Sequence, residues 1–131
     1  MQNMSGGKTA LGLDNNVGSL VCYLNICIPA GFIYSIIVLV TDKTNKLPRF
    51  HAVQSLLWSG VVFVLVVILE IFAVVSAIVI GSAAIASLLG LLVWVIVIGL
   101  IAFGVFAGYK GYLGEAFKLP VIGDMADKWS N

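Results

Sequence analysis

The chain has 131 residues, of which 61% are hydrophobic and 10% are charged, and its mean hydropathy is +1.13. Soluble domains carry about 25% charged residues, because a water-facing surface needs them, so this composition excludes a water-soluble globule. The net charge of +1 excludes the basic patch that nucleic-acid binding requires. We therefore predict one all-α integral membrane domain whose first partner is the lipid bilayer.

Residues 1–16 are polar and rich in glycine, and they predict an N-terminal tail ahead of a transmembrane domain over residues 17–131. The first apolar run extends from Val17 to Val40, and about 20 apolar residues are enough to cross a bilayer. Pro29 lies near its centre, where it removes a backbone donor and crowds the preceding turn. We expect a kinked helix, with a break into two half-helices as the alternative.

Two further spans follow without a charged loop between them. The second is predicted over Ser55–Ile80, with an interfacial lead-in from Arg49, and the third over Ala84–Tyr109. The whole stretch is too long for one crossing, and residues 81–83 offer its one plausible turn. The sequence therefore predicts three transmembrane helices.

The basic residues predict an orientation. They cluster in the first loop (Lys43, Lys46, Arg49) and after the third span (Lys110, Lys118, Lys128), whereas the N-terminal tail carries Lys8 alone. Three crossings place the first loop and the C-terminus on one side. The positive-inside rule then puts both in the cytoplasm and the N-terminus outside.

The C-terminal segment has the pattern of a short interfacial helix. Pro120 suits its start, and Val121, Ile122, Met125 and Trp129 fall on one face at helical spacing. We expect this apolar stripe to lie in the headgroup region with the tryptophan as its anchor. An unstructured tail is the alternative, because isolated short helices are marginal.

Glu70 is the only charged side chain inside a predicted span. A charge at the bilayer centre costs about 2.5–3.5 kcal/mol, so we expect this residue to face protein. At helical spacing it is nearly in register with Ser59 and about 60° from Ser55. Two interpretations stay open: a proton or cation relay or partner contact, and a protonated glutamate bonded to a neighbouring helix through Asn25 or Tyr34.

His51, Gln54, Ser55 and Trp58 share one face at the start of the second helix. His51 could ligate a metal or a tetrapyrrole, but it is the only histidine, so a metal site would need carboxylates or another subunit. The alternative is that His51 and Gln54 bond to loop carbonyls and headgroups. We predict no cofactor, and keep His51 as the one candidate cofactor-binding residue.

Small residues recur at four-residue spacing on the second and third spans. They are Ala73, Ala77 and Gly81 on the second, and Gly104 and Gly108 on the third. Small side chains let helices approach closely in lipid, where packing drives association. Packing within one chain and dimerisation both explain this pattern.

Three segments resemble a known family: Asn16-Val17 leading into CYL at residues 22–24, RFHAVQS at residues 49–55 and KLPVIGD at residues 118–124. Together with three spans they resemble the Tic-twenty-like membrane proteins of bacteria and archaea. These are related to a membrane subunit of the chloroplast inner-envelope import translocon, and one branch sits in magnetosome membranes. The resemblance covers residues 12–128. It implies a compact helical protein of a cell membrane or a specialised internal membrane that assembles with others, and it implies no catalytic residues.

The pattern favours a non-enzymatic structural or assembly subunit of a membrane complex or homo-oligomer. A transport or conduction component that uses Glu70 as a protonatable site is the first alternative, and a pigment- or haem-binding subunit using His51 is the second. We predict no enzyme, because the chain has no Ser/His/Asp grouping, paired carboxylates, phosphate-binding glycine loop or metal-ligand cluster. Partners are expected to be other membrane subunits or a second copy.

Overall fold

A computed structural model describes residues 6–26 and 29–131, without the side chains of residues 25 and 26. Within these ranges the protein is helical apart from turns, loops and isolated bridge residues, among which Lys8 pairs with Asp14. The elements are α1 (Asn15–Val21), a 3-10 helix (Cys22–Ile26), α2 (Pro29–Thr41), α3 (Lys46–Ile80), α4 (Ala83–Tyr112) and α5 (Gly123–Trp129).

Helices α3 and α4 form an antiparallel hairpin and are the two described helices long and apolar enough to cross a membrane. Gly81 ends α3 in the left-handed conformation, with φ of +65°, and its N–H donates to the Ala77 carbonyl at 2.9 Å. Glycine adopts this conformation without steric cost and commonly ends helices. The predicted turn is therefore confirmed.

The first apolar run does not form one span-length helix. Instead, α1 with the 3-10 helix is antiparallel to α2. A Cβ on Gly18 would lie 2.7 Å from the Tyr34 hydroxyl, and the Ser35 hydroxyl oxygen lies 3.5 Å from the Cys22 carbonyl oxygen. Pro29 begins α2, where its missing N–H costs no hydrogen bond. The expectation of a kinked crossing is corrected to the broken alternative, and three transmembrane helices are not confirmed.

The N-terminal segment lies at the same end of the molecule as the first loop. Asn45 donates its side-chain amide to the Lys8 carbonyl at 2.8 Å, and Asn15 donates to the Asn45 side-chain oxygen at 3.3 Å. The structure therefore does not show the N-terminal segment apart from this loop, as the three-span prediction required, because α1 and α2 double back on each other; the side of a membrane on which each lies stays a prediction.

Packing divides the molecule into two parts, which we call the head and the arm. The head comprises residues 6–26, 29–58 and 104–131, and its buried hydrophobic cluster is Cys22, Tyr23, Val38, Ala52, Trp58, Ala107, Leu119 and Ile122. The arm comprises residues 59–103, where α3 and α4 pack on each other and leave most apolar side chains exposed. All seven lysines and arginines belong to the head.

Helix α5 begins at Gly123, three residues later than predicted, and packs on α3. Ile122 and Ala126 are buried there, whereas Val121, Met125 and Trp129 stay exposed. The predicted stripe is therefore split. Val121 has φ of +72°, and this change of chain direction turns the residue after it into the head.

Candidate functional site: a buried polar network in the head

His51 is fully buried and bonded through both ring nitrogens. Its Nε2 lies 2.9 Å from the Glu115 carbonyl oxygen and its Nδ1 lies 3.2 Å from the Tyr23 hydroxyl. A carbonyl can only accept, so Nε2 carries the proton, and Nδ1 of the neutral ring accepts the Tyr23 hydroxyl proton. A metal or pigment at His51 would have to displace one of these bonds.

Gln54 lies one turn further along α3 and is saturated by three partners. Its amide nitrogen donates to the Tyr23 hydroxyl at 2.8 Å and to the Phe117 carbonyl at 2.9 Å, and its oxygen accepts the Leu119 N–H at 3.0 Å. Buried polar groups are costly unless hydrogen-bonded. Gln54 therefore fixes the extended chain that follows α4 against α3.

A second set of hydroxyl contacts joins α2 to α3. The Ser35 and Ser55 hydroxyls are 3.1 Å apart, and Ser35 also donates to the Gly31 carbonyl at 2.8 Å. Ser59 donates to the Ser55 carbonyl at 2.8 Å. Ser55 thus lies where α2 packs on α3, whereas Ser59, one turn further along α3, lines a groove between α3 and α4.

Arg49 connects the ends of three segments. Its Nε donates to the Ser130 carbonyl at 3.0 Å, and its Nη1 donates to the Leu39 carbonyl at 3.1 Å and to the Asp42 carbonyl at 2.8 Å. The last carbonyls of a helix lack internal partners and carry partial negative charge. The guanidinium therefore caps α2 and holds the C-terminus at once.

Glycines allow the elements of the head to approach closely. A Cβ on Gly108 would lie 3.1 Å from the Tyr23 side chain, and a Cβ on Gly111 would lie 3.0 Å from His51 Nε2. A Cβ on Gly123 would lie 2.5 Å from Lys118 Cβ. Gly108 is thus a site of close packing within one chain.

The remaining residues singled out from the sequence lie outside the head network or at packing positions. Glu70 is exposed on the arm, remote from the head network, and the Asn25 side chain lies outside the described residues. Among the remaining predicted packing positions, Ala73 and Gly104 are buried, Ala77 is half-buried, and Gly81 is exposed in the turn.

Two carboxylates stabilise the polar end of the head. Asp42 is buried, and although burial opposes its ionisation, hydrogen bonds from the Asn45 side chain and from backbone N–H groups outweigh this and hold its pKa below the usual 3.8. Asp127 accepts from Lys46 at 3.0 Å and from Lys118 at 3.1 Å, and these ammonium groups lower its pKa.

Tyr23 belongs to the first segment of the family resemblance, but the sequence pattern assigned it no role in a site. It lies on the 3-10 helix, 28 residues before His51, and no periodicity connects the two. The RFHAVQS and KLPVIGD segments did point to the site. His51 and Gln54 of the first segment form hydrogen bonds to the chain at residues 115–119, which leads into the second. Within the described residues, no group of three or more His, Cys, Asp or Glu side chains could hold a metal ion.

The fold and this network define a helical membrane protein in which His51, Gln54 and Arg49 form hydrogen bonds to backbone groups of the same chain. More particularly, the chain belongs to the magnetosome magnetite crystal formation protein family, whose model matches residues 14–126. The magnetosome branch of the resemblance noted above agrees with this match. The link to the chloroplast import subunit stays a prediction.

Several archaeal membrane proteins are similar to this chain. A UPF0132 membrane protein of Methanocaldococcus jannaschii is 37% identical over 95% of this chain and 96% of its own. A second one from that organism is 32% identical over 92% of this chain and 73% of its own, and one from Archaeoglobus fulgidus is 29% identical over 88% and 95%. No solved structure matches.

Proposed function

We propose that the protein is a non-enzymatic structural subunit that assembles in the membrane with other subunits or with itself. One observation carries this proposal: His51, Gln54 and Arg49 direct their polar atoms at backbone atoms or side chains of the same chain. Side chains that form internal hydrogen bonds hold the head together and are not free to act on a substrate, as catalytic side chains must be.

The same proposal places the molecule in the bilayer with two crossings. The arm parts of α3 and α4 are each about 20 residues long, which matches the hydrocarbon thickness. Helices α1 and α2, with the 3-10 helix, form a re-entrant unit that enters from one side and returns. All seven basic residues lie at the head, so the positive-inside rule puts the head and both chain ends in the cytoplasm.

We also propose a relationship to the Tic-twenty-like proteins, in which the contact between two of the three matching segments is the shared feature. RFHAVQS supplies the side chains and the chain around KLPVIGD supplies the backbone groups they bond. We expect a protein that contains both segments to form the same hydrogen-bonded contact between them. The proposed kinship is therefore one of architecture, with no import activity attached.

Native purification in mild detergent tests the assembly role. We expect the protein to migrate as an oligomer or with other membrane proteins, measured by light scattering and mass spectrometry. A strictly monomeric protein without partners would count against the proposal. A proton or cation flux through liposomes that Glu70→Gln abolishes would favour the conduction alternative instead.

A further inference from the structure

Glu70 and Trp94 are two side chains on the arm that carry hydrogen-bonding groups: a carboxyl group and an indole N–H. Both are exposed, Trp94 to 62% of its surface, and neither has a hydrogen-bond or ionic partner among the described residues. A carboxyl group facing lipid is costly, and a tryptophan in a membrane helix ordinarily lies at the interface, where its N–H finds a partner. Glu70 therefore lacks a hydrogen-bond donor, Trp94 lacks an acceptor, and each could supply the group that the other needs.

The two residues lie at the same depth. Glu70 is ten residues before Ile80, the end of α3, and Trp94 is eleven residues after Ala83, the start of α4. At 1.5 Å per residue both lie about 15 Å from the turn. This is about the middle of a hydrocarbon core some 30 Å thick.

Both residues also lie on the same side of the hairpin. A groove of about 300 Å³ follows the seam between α3 and α4, with Phe63 and Ile101 in its lining. Phe63 is seven residues before Glu70, and Ile101 is seven residues after Trp94. Because seven residues return a helix to nearly the same face, Glu70 and Trp94 flank the side of the seam where this groove opens.

The rest of this side is apolar and uncovered. Phe63, Val74 and Ile98 are exposed to 70%, 55% and 61%. We call Phe63, Val74 and Ile98 together with Glu70 and Trp94 the Glu70 face. It presents one acceptor, one donor and an open groove on an otherwise apolar surface.

We infer that the Glu70 face binds a second copy of this chain in a parallel two-fold dimer, in which Trp94 of each copy donates its indole N–H to Glu70 of the other. The inference rests on the proposed function and names its partner. Both heads must lie on one side of the membrane, so the two-fold axis is parallel to the membrane normal. Rotation about that axis preserves depth and brings α3 of one copy opposite α4 of the other.

This geometry distinguishes the interface from other arrangements. Residues 70 and 94 of different copies face each other, whereas the two copies of residue 70 are separated by about one interhelical distance, 8–10 Å. A disulfide needs Cβ atoms about 3.5–4.5 Å apart. Cross-linking therefore reports which residues meet.

The experiment co-expresses two tagged full-length chains in which Cys22 and Cys27 are replaced by alanine. One chain carries Glu70→Cys and the other Trp94→Cys, so that a mixed dimer keeps one intact Glu70–Trp94 pair. We expect an efficient mixed disulfide on oxidation in native membranes. Ile71→Cys, which points about 100° away, is the matched control and should give little product with Trp94→Cys.

Dimer dissociation measured in detergent is the second readout. Trp94→Phe keeps the ring but removes both donors of the dimer and should raise the dissociation constant about tenfold, as expected for two membrane hydrogen bonds. Glu70→Gln keeps an acceptor and should stay near the unmodified value, and Trp129→Phe in the head should have no effect. A dimer that cross-links through position 71, or ignores Trp94→Phe, overturns this inference but leaves the assembly role standing. A monomer without partners overturns both.

Discussion

At the scale of single residues, the head depends on glycines that stand where a Cβ has no room. Gly111 contacts His51 and Ser19, and Gly108 contacts Tyr23. These contacts surround the hydrogen bonds of His51, which need the elements at fixed separations. Adding a single methyl group to a core of native packing density changes its stability. The arm has glycines at which an added Cβ would meet nothing within 4 Å, and these serve for comparison.

Gly111→Ala should lower the stability of the head by about 1–3 kcal/mol, because the added Cβ would lie 3.0 Å from both His51 Nε2 and Ser19 Cβ. Thermal unfolding in detergent measures the effect. Gly99→Ala is the matched control in the same helix, since a Cβ there meets nothing within 4 Å. Equal melting temperatures for the two variants would refute the close approach at Gly111.

Gln54→Leu should release the chain that follows α4. It leaves the Leu119 N–H and the Phe117 carbonyl without the partner they have in the head, at about 1–3 kcal/mol for each unsatisfied group. Hydrogen exchange at the Leu119 amide should speed up markedly. Ser87→Ala, which removes a hydroxyl bonded to the Ala83 carbonyl of its own helix, should leave that amide protected; an unchanged Leu119 rate in Gln54→Leu would contradict the assignment.

At the scale of elements, the short α5 is held by a few charges and two small apolar contacts. Asp127 joins it to Lys46 at the start of α3 and to Lys118 just before α5, and Ala126 packs with Phe50 and Val53. A helix of seven residues is unstable by itself. Its position should therefore respond to the ionisation of Asp127.

Docking of α5 should weaken under acid. The pKa of Asp127 is lowered in the folded protein, so its contribution is present above the ordinary value of 3.8 and is lost as pH falls through the folded value. Trp129 fluorescence against pH should show this loss below about pH 4. Asp127→Asn should remove most of that transition, whereas Asp124→Asn, at a far more exposed carboxylate, should keep it.

At the scale of the whole molecule, a packed head carries an apolar hairpin whose surface is largely exposed. All the basic residues lie at the head, and the turn at the far end carries no charge. This distribution is consistent with the proposed placement, in which one hairpin crosses the membrane and the head lies on the side with the basic residues.

Single cysteines in a chain without Cys22 and Cys27 test this placement. Cysteines replacing Lys8 and Lys43 should react with impermeant reagent only from the cytoplasmic side, and one replacing Ser82 only from the opposite side. The reason is that Asn45 bonds the Lys8 carbonyl and so keeps the tail beside the first loop. Labelling of position 8 from the side of Ser82 would restore the three-crossing topology.

Much of the arm could be predicted from the sequence alone. The long apolar runs, the uncharged connection between them and the Gly81 turn are local signals, and the helices Lys46–Ile80 and Ala83–Tyr112 follow them within a few residues at most ends. The second helix begins nine residues before its predicted span, since Pro48 and Arg49 belong to a helix buried in the head and not to lipid.

A helical membrane protein with an uncharged turn between two long apolar helices follows from the sequence, because hydropathy and turn chemistry are properties of short segments. Three features emerge from the folded molecule instead: the first apolar run folds back, the N-terminal segment meets the first loop, and His51 bonds Tyr23 and Glu115. These features depend on contacts between residues far apart in the chain, such as Asn15 with Asn45, and no local pattern encodes which distant partner satisfies a buried polar group.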